Sequence, residues 1–403
     1  MSDRIRIAHF SDSHLGYRGL TKVDPVTGRN QRTMDVDQAF TQAIDDILKR
    51  DVDAIIHSGD VFHHTRPTWH SLRHFIRQMR RIEDAGIPTL VIAGNHDTPR
   101  MRTGGSAYSV LELALPKIVF VADYESVHVL DAPFDALNLH IHAIPHGALT
   151  NPDPVFPQVA PGRRNILVCH GMVPGILAPG THTESGEQQL DTALLDTRFD
   201  YIALGHYHVP MQAAPKAWYS GSTERMGFGD HDVTTGYNIV EIGAPGDEGA
   251  MSVEHVELPA RPMVTLKPMY GNGLNARDLA DKILDRLREV AQPNAMVRIE
   301  VRETERPVRR EAESILRREH DQFVWSLTVA QERALFSPEA DDTPSGIDGV
   351  ADLRTLFSTF VSERTGTSYD QAFATEFLER GDRALVEAMV AQETPTPEEA
   401  GAA

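Results

Sequence analysis

The feature that most constrains the fold of this chain is the alternation of short apolar runs with helical segments over its first 100 residues. The apolar runs at 5–10, 54–56 and 89–93 have the length and composition of buried strands. Between them, residues 35–49 and 68–84 repeat apolar side chains at helical spacing. Strands that alternate with helices predict βαβ units and a mainly parallel sheet. The sequence therefore predicts an α/β fold.

The rest of the chain changes character several times. Residues 118–258 are strand-rich and are expected to extend the first sheet or to form a second sheet packed on it, so that one domain covers residues 1–258. Residues 259–336 have a βαβαβ pattern that predicts a small α+β domain. Residues 337–349 are rich in Pro, Gly and Asp and predict a linker. Apolar stripes predict helices over 350–393, and the last ten residues, 394–403, are expected to be disordered.

Five short polar motifs follow predicted strands, and strand ends that open onto loops are where open α/β sheets place their sites. In chain order they are Asp12-Ser13-His14, Gly59-Asp60, Gly94-Asn95-His96-Asp97, His170-Gly171 and Gly205-His206-Tyr207-His208. A lone Asp-x-His or Gly-Asp is usually an ordinary surface or turn feature, but five such motifs in this position are hard to produce by chance. Oxygen and imidazole donors without a thiolate favour Mn, Fe or Zn.

The spacing of the donors predicts two metal ions. Residues i and i+2 of an extended segment project to the same side, so Asp12 and His14 are expected to present two donors together, and so are His206 and His208. Two ions about 3.5–4 Å apart need a shared anionic bridge, which we assign to Asp60. Such a pair of ions neutralises a phosphate ester, acidifies a water molecule and stabilises the charge of the transition state.

The motif at residues 94–97 supplies a further metal ligand and the groups predicted to transfer a proton. Asn95 supplies a neutral oxygen ligand. His96 stands beside that ligand, and because histidine titrates near neutrality it is predicted to protonate the leaving oxygen. Asp97 is predicted to fix the tautomer and the orientation of the His96 ring.

The five motifs together resemble the signature of the calcineurin-like metallophosphoesterase superfamily. The resemblance implies a calcineurin-like phosphoesterase fold, in which two packed mixed β-sheets are flanked by helices, with a small α+β capping domain and C-terminal helices. It implies that one metal takes Asp12, His14, Asp60 and His208, that the other takes Asp60, Asn95, His170 and His206, and that His96 is the catalytic acid with Asp97 behind it.

The sequences that flank the motifs, at 5–17, 59–68, 199–210 and 219–229, are similar to the SbcD family of DNA exonuclease subunits. This resemblance implies a manganese-dependent exonuclease and endonuclease for double-strand-break repair and DNA end processing, acting on double-stranded ends, hairpins and single strands. It further implies a homodimer that works with an SbcC-type coiled-coil ATPase. His63 would help to position the DNA phosphate; the alternative is a plain loop histidine.

Charge and arginine usage bear on DNA binding. The formal net charge of −19 argues against a general nucleic-acid coat, but residues 1–110 hold 15 basic and 13 acidic residues and sum to +2, so the acid lies downstream. Arg66 is a candidate for contact with the DNA backbone, although many loop arginines are simply solvated. Weaker candidates in the same region are Arg29, Arg32, Arg100 and Arg102.

The sequence also predicts two interaction surfaces and leaves two alternatives to the nuclease function open. The helix at 68–84 and the segment 108–115 are expected to form the dimer interface, unless they merely pack on the sheet. The C-terminal helices are expected to dock on the ATPase coiled coil, unless they pack back on the cap. The rivals to a nuclease are a phosphoesterase for a small substrate and a structural clamp. With no apolar run long enough to span a membrane and no signal-peptide pattern, a cytoplasmic, nucleoid-associated protein is expected.

Overall fold

The structure, a computed structural model, describes residues 4–331 except 100, 102–104, 125–126, 152–155, 177–186, 196–197, 248–250 and 291, and further along residues 358, 361–362, 373–378 and 380–383. The contacts divide the chain into two units, Met1–Glu332 and Arg333–Ala403.

The described part of the first unit contains fifteen strands and five α-helices. In chain order they are β1 (Ile5–Phe10), α1 (Gln31–Ile47), β2 (Ala54–His57), α2 (Trp69–Ala85), β3 (Thr89–Ile92), α3 (Tyr108–Ala114), β4 (Val119–Val121), β5 (His128–Leu130), β6 (Leu139–Ile144), β7 (Arg164–His170), β8 (Tyr201–Gly205), β9 (Met211–Ala214), β10 (Ala217–Tyr219), β11 (Gly236–Ile242), β12 (Ser252–Glu257), β13 (Met263–Tyr270), α4 (Ala276–Val290), β14 (Met296–Arg302), α5 (Arg306–Glu319) and β15 (Ser326–Gln331).

Two six-stranded mixed sheets form the body of this unit. The strand order is β12-β11-β1-β2-β3-β4 in the first sheet and β5-β6-β7-β8-β10-β9 in the second. Strands β1 to β4 run parallel, and β11 pairs antiparallel with β1. The core between the sheets consists of buried side chains from both, among them Ile7, Ile56, Leu90, Ile141 and Val168. Each such aliphatic side chain contributes about 1.5–3 kcal/mol on burial. The predicted two-sheet fold is confirmed.

Helices α1 and α2 cover the outer face of the first sheet, where Phe40 and Phe75 pack in one core with Phe10 of β1. Their ends follow from local sequence. The side chain of Asn30 accepts a hydrogen bond from Thr33 N at 3.2 Å at the start of α1, as Asn commonly does at helix N-termini. Helix α2 ends at Gly86, whose left-handed backbone (φ +73°) suits glycine.

The third sheet has the order β13-β14-β15 with all strands parallel, so that α4 and α5 connect neighbouring strands in the predicted βαβαβ order. It has a core of its own, which includes Leu279, Ile283, Ile299 and Leu316. This separate core supports the proposed division between a body (1–258) and a cap (predicted as 259–336), of which the first unit contains residues 259–332.

A cluster of ion pairs joins the cap to the body. The Arg261 guanidinium donates two hydrogen bonds of 2.8 Å to the Asp35 carboxylate of α1. The Trp325 ring lies 4.3 Å from the Arg261 guanidinium carbon and 5.0 Å from Lys22 Nζ. Lys22 also pairs with Asp321 at 3.1 Å. Two cations of the polypeptide thus hold one aromatic ring of the cap.

Four strands were not predicted, namely β5, β9, β10 and β12. They are short or carry mixed polar and apolar side chains, such as Ser252–Glu257 at the edge of the first sheet. Within the described residues, no helix combines the length and the apolar character that crossing a bilayer requires.

Most of the second unit lies outside the described residues, including the predicted linker 337–349, the tail 394–403 and much of the helical segment 350–393. Residues 373–378 form a helix, as predicted. On it the rings of Phe373 and Phe377 stack with centroids 5.5 Å apart, and Phe373 is 48% exposed.

Candidate dinuclear metal centre

The loops that follow β1 and β2 lie side by side and bring the first two motifs together. Asp12 N donates to Gly59 O, and His14 N donates to Asp60 O, both at 3.0 Å. The backbones of Asp12, His14 and Asp60 are all left-handed, with φ between +44° and +55°. Each such residue costs on the order of 1–3 kcal/mol, and such costs concentrate at functional sites.

One group of donor atoms consists of Asp12, His14 and His208, whose ligand atoms all lie within 4.8 Å of one another. The two Nε2 atoms of His14 and His208 are 3.1 Å apart. Imidazole nitrogens at this distance either share a proton or direct two lone pairs at one cation. This group fits a divalent ion.

A second group is centred on Asn95. Its Oδ1 atom lies 2.9 Å from His170 Nε2 and 3.2 Å from His206 Nδ1. His170 also belongs to a set of ligand atoms with Asp12 and Asp60 that lie within 4.8 Å of one another. Amide oxygen, carboxylate and imidazole together suit a first-row divalent ion.

The Asp60 carboxylate connects the two groups. Its Oδ2 atom lies 3.7 Å from His14 Nε2 and 3.5 Å from His170 Nε2. Its Oδ1 atom accepts a 2.9 Å hydrogen bond from the backbone N–H of His96. One oxygen is thus fixed by the backbone, while the other faces both groups of donors. This is the arrangement expected of a bridging carboxylate.

Close packing explains the glycines that precede two of the motif residues. A Cβ atom at position 59 would lie 2.3 Å from His170 Nδ1, and φ there is +105°. A Cβ atom at position 94 would lie 2.1 Å from Asp60 Oδ1. Only glycine lets these loops approach the ligands so closely.

In this site, pairing between opposite charges counteracts the effect of burial on the pKa values of His170 and Asp60. Burial alone would lower the pKa of His170, but the charge of Asp60 and its hydrogen bond raise this pKa to about 9. Burial likewise opposes the charged form of Asp60, but His170 and His14 hold its pKa well below the ordinary carboxylate range. Asp60 is therefore an anion in this site, as a bridging ligand must be.

His96 and His63 lie against each other at the edge of the first group. Their rings stack with centroids 5.0 Å apart and an interplanar angle of 19°. His96 Nδ1 lies 2.9 Å from the backbone oxygen of His63. Because a carbonyl oxygen only accepts, His96 Nδ1 carries a hydrogen here. His63 Nδ1 lies 3.3 Å from His14 Nδ1, so the structure brings His63 to the site rather than leaving it in a distant loop.

The predicted role of Asp97 is corrected by its contacts. The buried Asp97 carboxylate accepts hydrogen bonds from Val61 N (3.0 Å), Phe62 N (2.9 Å), Gly94 N (3.2 Å) and Tyr108 Oη (2.9 Å). It therefore ties the loop after β2 to the loop after β3. The contact that sets the tautomer of His96 is the carbonyl of His63, a backbone group to which the sequence motif gives no clue.

The arginines predicted to contact DNA differ in how exposed they are. Arg32 is buried (1% exposed) between Asp35, at 2.7 Å, and Glu224, at 3.4 Å, so that it cannot reach DNA and the prediction for it is wrong. Arg29 pairs with Asp37 at 2.6 Å and stays partly exposed. Arg66 is exposed. Arg100 and Arg102 lie outside the described residues.

The alternation argument for the last motif is also corrected. His208 joins His14, whereas His206 joins Asn95 and His170, because the chain turns at His206 (φ +113°) instead of continuing as an extended strand. These contacts agree with the division of the ligands into two sets that the resemblance implies, and that division stays a prediction.

Two carboxylates next to the site were missed. Asp230 Oδ2 lies 3.1 Å from His208 Nδ1, and Glu187 Oε1 lies 3.6 Å from His206 Nε2. Both lie outside the five motifs. Asp230 comes directly after the flanking segment 219–229, which is the one signal in the sequence that could have indicated it.

Comparison with known proteins adds independent information. The profile of the calcineurin-like phosphoesterase family matches residues 5–210, about half of the chain. The chain is 30% identical over 308 residues to the DNA double-strand break repair protein Mre11 of Haloferax volcanii, covering 74% of this chain and 61% of the relative. It is 32% identical over 209 residues to Mre11 of Saccharolobus solfataricus (51% and 49%) and 29% identical over 275 residues to Mre11 of Thermoplasma acidophilum (64% and 67%). The chain thus spans 61% and 49% of the length of the first two relatives.

Proposed function

The chain belongs to the calcineurin-like phosphoesterase family, and from this premise we propose that it is a metal-dependent DNA nuclease that hydrolyses phosphodiester bonds at DNA ends in double-strand-break repair. The observation that carries the proposal is the position of Asp60 Oδ2 between His14 and His170, which equips the site for two cations. DNA as substrate is supported by the relatives, which are DNA double-strand break repair proteins by name.

The proposed ligands are Asp12, His14, Asp60 and His208 for one ion, and Asp60, Asn95, His170 and His206 for the other. When bound, such ions supply positive charge for the phosphate and acidify a water molecule at neutral pH. We propose Mn²⁺, because the resemblance to the SbcD family implies manganese and the donor set, which lacks a thiolate, is compatible with it. The formal charge of −19 omits these cations, which offset the carboxylates of the site.

His96 is the proposed general acid. Its Nδ1 hydrogen is held by the carbonyl of His63, so that the protonated ring has Nε2–H left to donate to the leaving oxygen. The backbone N–H of the same residue holds Asp60 Oδ1. The loop that carries the acid is therefore fixed relative to the bridging carboxylate.

Phosphate positioning is assigned to His63, whose ring stacks on His96 beside His14. The DNA backbone on either side of the scissile bond would contact Arg66 and, more weakly, Arg29. Arg100 and Arg102 remain candidates from the sequence alone. Because the chain carries a formal net charge of −19, we expect its affinity for DNA to be modest and to fall as salt rises.

The chain is proposed to form a homodimer through α2 and α3. The inward sides of both helices are used in the core, as Phe75 and Leu111 are buried. Their outer sides still expose large apolar side chains, with Trp69 85% exposed and Leu113 86% exposed. A contiguous apolar patch built from such side chains would be typical of an interaction surface. Light scattering would test the proposal: Leu113→Glu should convert a dimer to a monomer, and a wild-type monomer would contradict it.

The C-terminal segment is proposed to bind an SbcC-type coiled-coil ATPase. The support is the pair Phe373 and Phe377, one turn apart on a short helix, with Phe373 partly exposed. Amphipathic helices commonly dock by such i, i+4 anchors. Removal of residues 350–393 should abolish capture of the ATPase and leave DNA cleavage intact; retained capture would contradict the assignment.

The substrate experiment compares Mn²⁺-dependent cleavage of linear duplex DNA with hydrolysis of a generic phosphodiester dye. The nuclease proposal predicts cleavage of DNA. Hydrolysis of the dye alone would favour the rival activity on a small substrate. Binding of DNA without cleavage, with both ions bound, would favour a structural clamp.

A further inference from the structure

The proposed metal site uses one ring nitrogen of His208, and the structure gives the other nitrogen a partner that no motif contains. His208 Nε2 faces His14 Nε2 at 3.1 Å, on the side of the donor group. On the opposite side of the ring, His208 Nδ1 lies 3.1 Å from Asp230 Oδ2. Asp230 belongs to the single-turn helix Phe228–Asp230 and follows His208 by 22 residues.

We infer that Asp230 is a positioning residue, which fixes the tautomer and the orientation of His208 and thereby tunes one of the two ion sites. An ionised carboxylate only accepts hydrogen bonds, so Nδ1 of the ring must carry the hydrogen. The lone pair of Nε2 is then directed at the donor group. The negative charge behind the ring also makes Nε2 a stronger donor, as carboxylates behind metal-binding histidines do.

Asp230 is itself held in place. The same Oδ2 atom accepts a 2.9 Å hydrogen bond from Met226 N, and Asp230 N donates to Gly227 O at 2.9 Å. The side chain is only 11% exposed. A charge this well shielded from solvent acts on its neighbour with little screening, so the contact with His208 is more than an incidental surface pair.

Glu187 lies close to His206 in a similar way, but its contact with that ring is too long to assign it a positioning role. Its Oε1 atom is 3.6 Å from His206 Nε2, beyond hydrogen-bond distance. The inference therefore concerns Asp230 and the ion held by His14 and His208. It rests on the proposed two-ion centre and not on DNA as the substrate.

The test is a titration of the full chain with Mn²⁺ alone, in which calorimetry and electron paramagnetic resonance measure the binding of the ions. Asp230→Asn keeps an oxygen that can accept both hydrogen bonds but removes the charge, whereas Asp230→Ala removes both. Asp230→Asn should weaken one of the two Mn²⁺ sites by about 10–100-fold, and Asp230→Ala by at least as much. At intermediate Mn²⁺, the spectrum of a coupled pair should give way to that of a single ion. Asp232→Asn is the matched control, because Asp232 is 88% exposed and pairs with His231.

A thermal measurement separates positioning from simple bracing of the turn. If Asp230 positions a ligand, Asp230→Asn reduces the rise in Tm that Mn²⁺ produces, because the stabilisation that a ligand gives the folded state grows with the logarithm of its concentration divided by its Kd. If both sites keep wild-type affinity and the variant loses the same Tm with and without Mn²⁺, the inference is overturned. A wild-type chain that bound two ions but cut no DNA would overturn the nuclease proposal alone.

Discussion

The backbone N–H of His96 donates a 2.9 Å hydrogen bond to Asp60 Oδ1, while the other oxygen of Asp60 faces His14 and His170. The proposed acid and the proposed bridge are therefore coupled through a backbone contact that side-chain substitution at position 96 leaves in place. This separation makes the roles of the two residues experimentally distinct.

The first prediction concerns the acid. His96→Ala should lower the cleavage rate by about 10²–10⁴-fold, the usual contribution of general acid catalysis. Mn²⁺ affinity should stay close to wild type, because the backbone bond to Asp60 survives. The measurement pairs single-turnover cleavage of duplex DNA with calorimetric titration of Mn²⁺. His128→Ala, in the edge strand β5, is the control histidine; wild-type cleavage by His96→Ala would remove the acid assignment.

The second prediction concerns Asp97. Asp97→Ala leaves buried N–H groups of Val61 and Phe62 without their acceptor, and each such group costs about 1–3 kcal/mol. We expect a loss of about 3–5 kcal/mol in the free energy of unfolding, measured by urea denaturation. Tyr108→Phe removes one donor to the same carboxylate and should cost about 1.5–3 kcal/mol, the usual contribution of a hydrogen bond to a charged group. A stable Asp97→Ala with an altered pH profile of cleavage would instead restore the orienting role predicted from the sequence.

The third prediction concerns Gly94. Gly94→Ala would place a methyl group 2.1 Å from Asp60 Oδ1 and 2.5 Å from its backbone nitrogen, so the bridge must move. Mn²⁺ binding should weaken by at least about tenfold, which corresponds to a loss of about 1.4 kcal/mol in binding free energy. Gly227→Ala is the matched control, because a Cβ there meets nothing within 4 Å. Equal Mn²⁺ affinities for the two variants would argue against a bridging role for Asp60.

The fourth prediction is a pH dependence at the junction of body and cap. Burial raises the pKa of Asp35, but the hydrogen bond and charge of Arg261 and the charge of Arg32 outweigh burial and hold it below its ordinary value. A carboxyl group of this kind stabilises the fold above its unfolded-state pKa, and the contribution is lost as pH falls through its folded-state pKa.

Asp35→Asn should therefore destabilise the chain by about 3 kcal/mol, because it removes the charge that pairs with Arg261 and leaves the buried Arg32 with Glu224 as its one remaining carboxylate among the described residues. The deficit should be constant from about pH 7 to about pH 5 and shrink below about pH 4. Thermal denaturation across pH measures it. Asp281→Asn breaks an exposed pair on α4 and should leave Tm nearly unchanged. A deficit that grew toward acid pH would contradict the assignment.

The sequence predicts the site well because its residues follow strands, and parallel strands end at a common edge. Asp12 and Asp60 can be placed together on that ground alone, because β1 and β2 are parallel neighbours in the first sheet. His170 ends a strand of the second sheet, so its place in the site depends on how the two sheets pack. Side-chain direction could not be derived in the same way. The alternation rule holds for extended backbone, and the turn at His206 breaks it.

Contacts between segments that are far apart in the chain could not be predicted from the sequence. Arginine is a common DNA-contacting residue type, but Arg32 is buried in an ion pair with Glu224, which lies 192 positions further along the chain. Asp97 stands next to His96 in sequence, yet its partners are backbone groups of another loop. Asp230 has no motif of its own and is recognised only by its distance from His208.

The most direct test of the account is the Mn²⁺ dependence of cleavage of an end-labelled linear duplex at low salt, measured together with the number of ions bound per chain. If two ions carry the catalysis, the duplex is cleaved with two Mn²⁺ bound, stays intact after chelation, and is cleaved again when Mn²⁺ is returned. Cleavage that persists after chelation, or an intact duplex in the presence of a chain with both ions bound, would contradict it.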